Sequence, residues 1–402
     1  MQTTDFLIIG AGIVGLSIAR ELKSRYPDQS ITVIEKEAAV ACHSSGRNSG
    51  VLHSGVYYSP ETLKAKVCRQ GAVELAAYCR QKKLPYNALG KVLVPVREEE
   101  APQLQVLADR AKANGVAFEL LDQKQLAELE PETKSASGQA LLIPSTAVVD
   151  PKAVMAALTV DLLHAGVAVQ YNSGLNTVDI QAQKAILNTG SIVYGHAINA
   201  AGLHADRIAH AFQVGTRYTL LPFKGLYWAL DPHAGFRINH LIYPVPDLRV
   251  PFLGIHTTTA ITGKTYLGPT AVPAFGRENY RGLQGVSPDE LIRICGLLGS
   301  QYYQDKNGFR RLAWQEGRRY IKPWFVQAAQ ALLPRLQTSH LHKSDKVGIR
   351  AQMLDRQTGT LVMDFLVEQG QNSTHVLNAI SPAFTSAFPF ARFVLNHFVE
   401  KR

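Results

Sequence analysis

The chain has 402 residues, 46% hydrophobic and 18% charged, with 42 Lys and Arg against 32 Asp and Glu. That composition excludes a disordered chain, a coiled coil and a collagen-like fibre, and the length suits about two domains. The net charge of +10 favours an anionic substrate, an anionic membrane surface or a nucleic acid, and selects none of them alone.

Residues 5–9, DFLII, predict a short strand that stops at glycine. Val14, Ile18 and Leu22, with Leu16 and Ala19 beside them, predict a helix over 13–25. ITVIE at 31–35 predicts a second strand, and 42–59 reads as a polar loop carrying Gly46, Gly50 and Gly55. A helix is expected over 61–82, a strand at 91–96 and a helix at 99–113. A helix over 151–165 precedes a strand at 167–171, and 191–202 reads as a strand ending in a small-residue turn. Across 215–285, runs such as GLYWAL, HLIYPV, PFLGIH and KTYLGP, broken by Pro and Gly, predict a mostly antiparallel sheet. Helices follow at 287–300 and 322–334, then strands at GIRAQ, LVMDF and HVLNAI, and a closing helix around 383–398.

Cys42, Cys68, Cys79 and Cys295 include no C-x-x-C pair, so no metal site is expected and the thiols read as reduced. The first residues lack the pattern of a signal peptide. The uncharged stretch Gln369–Ala391 is interrupted by Pro382 and Pro389 and makes a poor membrane span. A cytoplasmic protein is expected, with any membrane contact peripheral, at the inner face of the cytoplasmic membrane. The Arg and Lys density around 310–322 is accounted for by a solvated helix face, so no nucleic-acid partner is expected.

The strongest motif is Gly10-Ala-Gly12-Ile-Val-Gly15, between a strand and a helix, with Glu35 ending the next strand. Gly10 permits the tight turn, Gly12 lets the backbone approach a pyrophosphate, and Gly15 lets the helix sit close to the strand. The helix N-terminus faces the phosphates, and Glu35 stands where an acid bonds a ribose. A later strand running into Ala201-Gly202 favours FAD over NAD, because flavin domains built from separated pieces bring the chain back past the nucleotide. The loop CHSSGRNSG at 42–50 is suited to pass under the flavin. His53 lies in the glycine-flanked continuation, and either a structural role or removal of a substrate hydroxyl proton suits it. Arg350, after Gly348, can grip a carboxylate with two parallel hydrogen bonds. Lys224, His256 and Arg277 are further polar groups of the sheet region.

Over nearly its whole length the sequence resembles the L-2-hydroxyglutarate dehydrogenase/oxidase family, within the D-amino-acid-oxidase-like FAD oxidoreductases. The likeness rests on NSGVLHSGVYYSPETLKAKVC (48–68), GKVLVPV (90–96), IYPVPDLRVPFLGIH (242–256), YLGPTAVPAFGRENYR (266–281), GIRAQMLD (348–355) and LNAISPAFTSA (377–387). It implies oxidation of L-2-hydroxyglutarate to 2-oxoglutarate by hydride transfer to FAD, with electrons passed to quinone or oxygen. By motif, Gly10, Gly12, Gly15 and Glu35 bind the adenosine diphosphate part, and Ser44, Ser45 and Asn48 lie on the flavin loop. The resemblance implies His53 as the base and makes Tyr57, Lys224, His256, Arg277 and Arg350 the candidates for holding the two carboxylates.

The fold class expected is α/β: a Rossmann-like FAD-binding domain (1–90, 145–215 and 340–402) with an interleaved α+β substrate domain (91–144 and 216–339). Non-covalent FAD is expected, with attachment through Cys42 or His43 as the alternative. Arg47 stands where the family pattern has His, Ile380 where it has Pro, and Phe384 where it has a small residue. The other readings are an amine or amino-acid oxidase of the same fold and a non-catalytic flavin-fold binding protein.

Overall fold

In the computed structural model, which describes residues 2–248 and 254–400, the first apolar run becomes β1 (Gln2–Ile9). α1 (Ile13–Arg25) follows the Gly10–Gly12 turn, and β2 (Ile31–Ile34) lies parallel to β1, leaving Glu35 just past its end. α2 (Leu63–Gln81) starts at Thr62, whose hydroxyl accepts from the Ala65 amide, a standard N-cap. β3 (Lys91–Val94) and β4 (Gln139–Ile143) come next, then α3 (Pro151–His164), capped by Asp150. β5 (Ala168–Gln170) and β6 (Gly190–Asn199) complete this stretch.

Of these, β1, β2, β5 and β6 lie in one mixed sheet in the order Leu175–Asp179, Lys184–Leu187, β6, β1, β2, β5. The β6–β1, β1–β2 and β2–β5 pairs are parallel, as a nucleotide-binding sheet requires. β12 (Ser373–Asn378) joins parallel to β6 after the intervening half of the chain. α7 (Ala383–Phe398) then packs on α1 and α2. Phe388, Phe390, Val394 and Leu395 of α7 share the core with Leu16, Ile18 and Leu22 of α1. Each such side chain contributes roughly 1.5–3 kcal/mol on burial.

The region 215–285 forms an antiparallel sheet, as its pattern implies. Its centre is β7 (Phe223–Leu230), flanked by β10 (Thr265–Gly268) and by the long β11 (Leu341–Arg350); β9 (His256–Thr259) pairs with β10. The run HLIYPV departs from the expectation. As β8 (Leu241–Pro244) it leaves that sheet and lies parallel to β3, with β4 on the other side. Both faces of this small sheet are covered: Val92, Val94 and Ile242 on one, Leu93, Leu241 and Tyr243 on the other. The sheet is mixed, with β8–β3 parallel and β3–β4 antiparallel. Residues 251–253 of the PFLGIH run lie outside the described residues.

Three helices, α4 (Pro288–Gln304), α5 (Phe309–Arg318) and α6 (Lys322–Gln330), cross the outside. The basic stretch around 310–322 is thus a helix with a solvated face. Among the described residues no helix is long and apolar enough to cross a membrane.

Candidate active site

The carboxyl ends of β1 and β6 open into a cleft of about 640 Å³. Gly10 has φ +105°, and a Cβ there would stand 2.8 Å from the Ala200 carbonyl oxygen. A Cβ on Gly15 would stand 2.0 Å from the Gly10 carbonyl oxygen, so the helix can lie this close to the turn only without a side chain. Gly12 is the residue before α1 and faces the Ser45 hydroxyl. That hydroxyl accepts from the Ile13 amide at 2.9 Å. The Glu35 carboxylate accepts from the Ala11 amide at 2.9 Å and the Glu37 amide at 3.1 Å, tying the second strand to the turn. Ser44 donates to the Ile349 carbonyl, and Asn48 donates to the carbonyls of Ser44 and Ser45. Ala201 and Gly202 line the same cleft. Gly348 lines it too, and a Cβ there would stand 2.5 Å from the Arg47 carbonyl oxygen.

A second group of lining residues comes from the loop after Asn48, the two smaller sheets and the start of α7. It includes His53, Tyr227, Tyr243, His256, Arg350, Ile380, Ser381 and Phe384. The His53 amide donates to the Thr385 hydroxyl at 3.1 Å, and its Nε2 lies 3.5 Å from the Ser381 hydroxyl. Desolvation, then the charges of Lys91, His256 and Arg350, push the His53 imidazole down to about 3. His256 is also pushed down to about 3, first by desolvation. Its Nδ1 donates to the Gly254 carbonyl at 2.9 Å, which leaves Nε2 an acceptor in the neutral ring. Neutral imidazoles can accept a proton.

A profile of the family described as "FAD dependent oxidoreductase" (DAO) matches residues 5–396. The chain belongs to the DAO family of FAD-dependent oxidoreductases. Among relatives of this oxidoreductase, the L-2-hydroxyglutarate dehydrogenase of Escherichia coli (strain K12) is 35% identical over 98% of this chain and 92% of its own. The protein of that name from Indibacter alkaliphilus is 37% identical over 95% of each. The human mitochondrial one is 35% identical over 99% of this chain and 89% of its own. In fold, the flavoenzyme is similar to the FAD-bound L-alpha-glycerophosphate oxidase of Mycoplasma pneumoniae (TM-score 0.76, 22% identity, covering 98% and 94% of the two chains). The glycine cradle and the long cleft fit the family's cofactor.

Several residues of this flavoenzyme lie elsewhere than the sequence implies. Arg277 is not in the cleft wall. It is 4% exposed, and its guanidinium donates to both Asp206 carboxylate oxygens at 2.5 and 2.9 Å and to the Leu203 carbonyl at 2.7 Å. A buried guanidinium must find such partners, and here they come from the helix after Ala201. Lys224 is also outside the wall, donating to Asn279 at 2.7 Å. Tyr57 is buried, and its ring packs over Lys91 rather than lining the cleft. Arg47 braces its own loop: it donates to the Cys42 carbonyl at 2.7 Å and stacks over the Tyr280 ring at 4.2 Å. Both ring nitrogens of His43 are engaged, by Tyr280 and Glu37. Lys36 supplies the cation between Glu37 and Glu278, and with His204 it holds the Glu278 carboxyl down to about 2.

The sequence reading missed Tyr227, Tyr243, Lys91 and Lys346. Burial pushes the Lys346 ammonium down to about 8, and it lies 4.7 Å from the Tyr266 ring and 5.4 Å from that of Tyr227. The quoted stretches GKVLVPV and IYPVP contain Lys91 and Tyr243, but periodicity marks them only as strand positions.

Proposed function

We propose that this flavoenzyme oxidises L-2-hydroxyglutarate, or a close L-2-hydroxy acid, to the 2-oxo acid. The names of the relatives above support the substrate. The observation that carries the reading is the meeting of Arg350 with two neutral imidazoles, His53 and His256, in one cleft.

The turn Gly10–Gly15, Glu35, Ser44, Ser45, Asn48, Ala201, Gly202 and Gly348 would hold FAD. Bound there, FAD supplies the two-electron oxidant that takes hydride from the substrate carbon. Arg350 holds a substrate carboxylate through its planar fork. His53 takes the hydroxyl proton, so the C–O bond becomes C=O as the hydride leaves. Ile380 and Phe384 add apolar wall beside that centre and bound the substrate's chain length. The segments 1–90, 145–215 and 340–402 serve the cofactor, and 91–144 with 216–339 the substrate.

Anaerobic flavin bleaching tests this. L-2-hydroxyglutarate should discharge the visible absorbance, and its D form should not. Bleaching by glycine or sarcosine instead would assign an amine oxidase. A purified protein that takes up no FAD would leave only a binding role.

Quinone is the proposed electron acceptor, with oxygen as the alternative. An anionic bilayer is the proposed contact. Leu283, Ile292, Tyr303 and Trp314 are each more than two-thirds exposed, and Tyr320, Ile321 and Trp324 are exposed beside them in sequence. Arg311 and Arg318 are exposed on the same stretch, and Arg318 stacks on Trp324 at 4.6 Å. Aromatic and basic side chains together suit a headgroup layer. α5 carries Trp314 outward and Glu316 in the cleft wall, which brings the lipid close to the flavin site. Trp314→Ser with Trp324→Ser should abolish co-sedimentation with anionic vesicles at low salt while leaving flavin bleaching intact. Unchanged co-sedimentation would remove this face.

A further inference from the structure

Lys91 opens β3 with none of its surface exposed. Its Nζ has no hydrogen-bond partner among the described residues. Burying an amine without an acceptor is costly, and a strand start offers many cheaper residues. What surrounds the nitrogen instead is aromatic. The Tyr57 ring centroid is 4.4 Å away and that of Tyr243 5.3 Å, both within range of a cation–π contact. Tyr243 in turn stacks on His256, with centroids 3.8 Å apart. One ring therefore separates the Lys91 nitrogen from a cleft imidazole, and Lys91 itself is absent from the cleft wall.

We propose that Lys91 is a positioning residue: its buried charge behind Tyr243 adds to the desolvation of the cleft in keeping His53 and His256 unprotonated, so that His53 meets the substrate as a base. The inference rests on the 2-hydroxy-acid reading above.

Among the described residues, the charged groups facing the two imidazoles are cations. Lys91 and Arg350 act on both, and Lys346 acts on His256. The other described hydrogen-bond neighbours are uncharged: the hydroxyls of Ser381 and Thr385 at His53, and the Gly254 carbonyl at His256. Cys68 donates to the His53 carbonyl, and burial pushes its thiol up to about 12, so it stays neutral. Tyr57 and Tyr243 are likewise held neutral by burial.

Lys91 and Arg350 are not redundant. A carboxylate on Arg350 offsets that charge in the Michaelis complex. Lys91 is sealed from the substrate and keeps its own. Burial pushes its ammonium down to about 7, while the two π faces favour the charged form. The charge is therefore present in the range below neutrality, where an ordinary imidazole takes up its proton.

The test is the pH profile of kcat/KM for L-2-hydroxyglutarate in the FAD-loaded Lys91→Met variant. Its acid limb should move up by about one pH unit, a tenfold loss on the acidic side, while activity at about pH 8 stays near that of the wild type. Lys91→Arg should restore the limb. A FAD-loaded Met variant with lower activity but a superimposable profile would overturn the proposal in favour of packing. Should that variant fail to fold, imidazole NMR of the wild-type holoenzyme decides: His53 and His256 should stay neutral below about pH 5, and titration near 6.5 would overturn the proposal. Absence of flavin bleaching in the wild type would instead defeat the substrate reading.

Discussion

Tyr243 lies face to face on His256, with ring centroids 3.8 Å apart and planes 16° apart. The stack and the Gly254 carbonyl fix the imidazole from two sides. A neutral His256 held this way offers Nε2 as an acceptor, so it suits a substrate hydroxyl better than a carboxylate. His256→Ala should keep FAD and lower kcat/KM roughly tenfold. A loss as deep as that of His53→Ala would make His256 the base.

His53→Ala should bind FAD normally, because the backbone amide, not the ring, holds Thr385. Turnover should fall by about 10²–10⁴, the usual contribution of a positioned base. Stopped-flow flavin reduction measures it directly. Wild-type rates would take His53 out of the mechanism.

Arg350→Lys should raise KM for the 2-hydroxy acid by roughly tenfold, with a smaller change in kcat. A point cation reaches one carboxylate oxygen where a planar fork reaches two. Steady-state kinetics with an artificial acceptor separates the two constants, and an unmoved KM would place the carboxylate elsewhere.

Gly10→Ala should yield protein with little FAD. The new methyl would meet the Ala200 carbonyl at 2.8 Å in a backbone conformation, φ +105°, that side chains avoid. Such strain costs about 1–3 kcal/mol. The ratio of visible to ultraviolet absorbance after purification reports it.

Stability should decline in acid over a defined window. His53 and His256 are held near 3, and burial pushes His375 down to about 4. The unfolded chain takes up these protons at the ordinary 6.5, and the folded chain does not. Stability from these groups is thus complete above 6.5 and is lost as pH falls from there toward 3 to 4. Thermal melts between about pH 7 and 4 should show a falling Tm; the fall should be shallower in the variant His375→Phe and little changed by high salt in the wild type, since desolvation is insensitive to screening. A flat Tm would mean that these imidazoles titrate freely.

Much of the cofactor half was legible because its signals are local. Gly10, Gly12 and Gly15 sit where a turn, a close approach and a helix contact each forbid a side chain, and Glu35 follows from strand length. α1 runs over the expected residues for the same reason, since its buried face repeats at helical spacing. β8 was misplaced because a short apolar run carries no mark of its partner. β4 was missed for the same reason.

The sequence by itself determined the nucleotide turn, the strand–helix–strand unit around it, and the family. Only tertiary structure decided which cations meet the substrate. It turned Arg277 onto Asp206, hid Lys91 behind Tyr243 and brought Arg350 to His53 across about three hundred residues of chain. The physical reason is that a charged side chain's role depends on its solvation and its neighbours, and both are set by packing between distant segments.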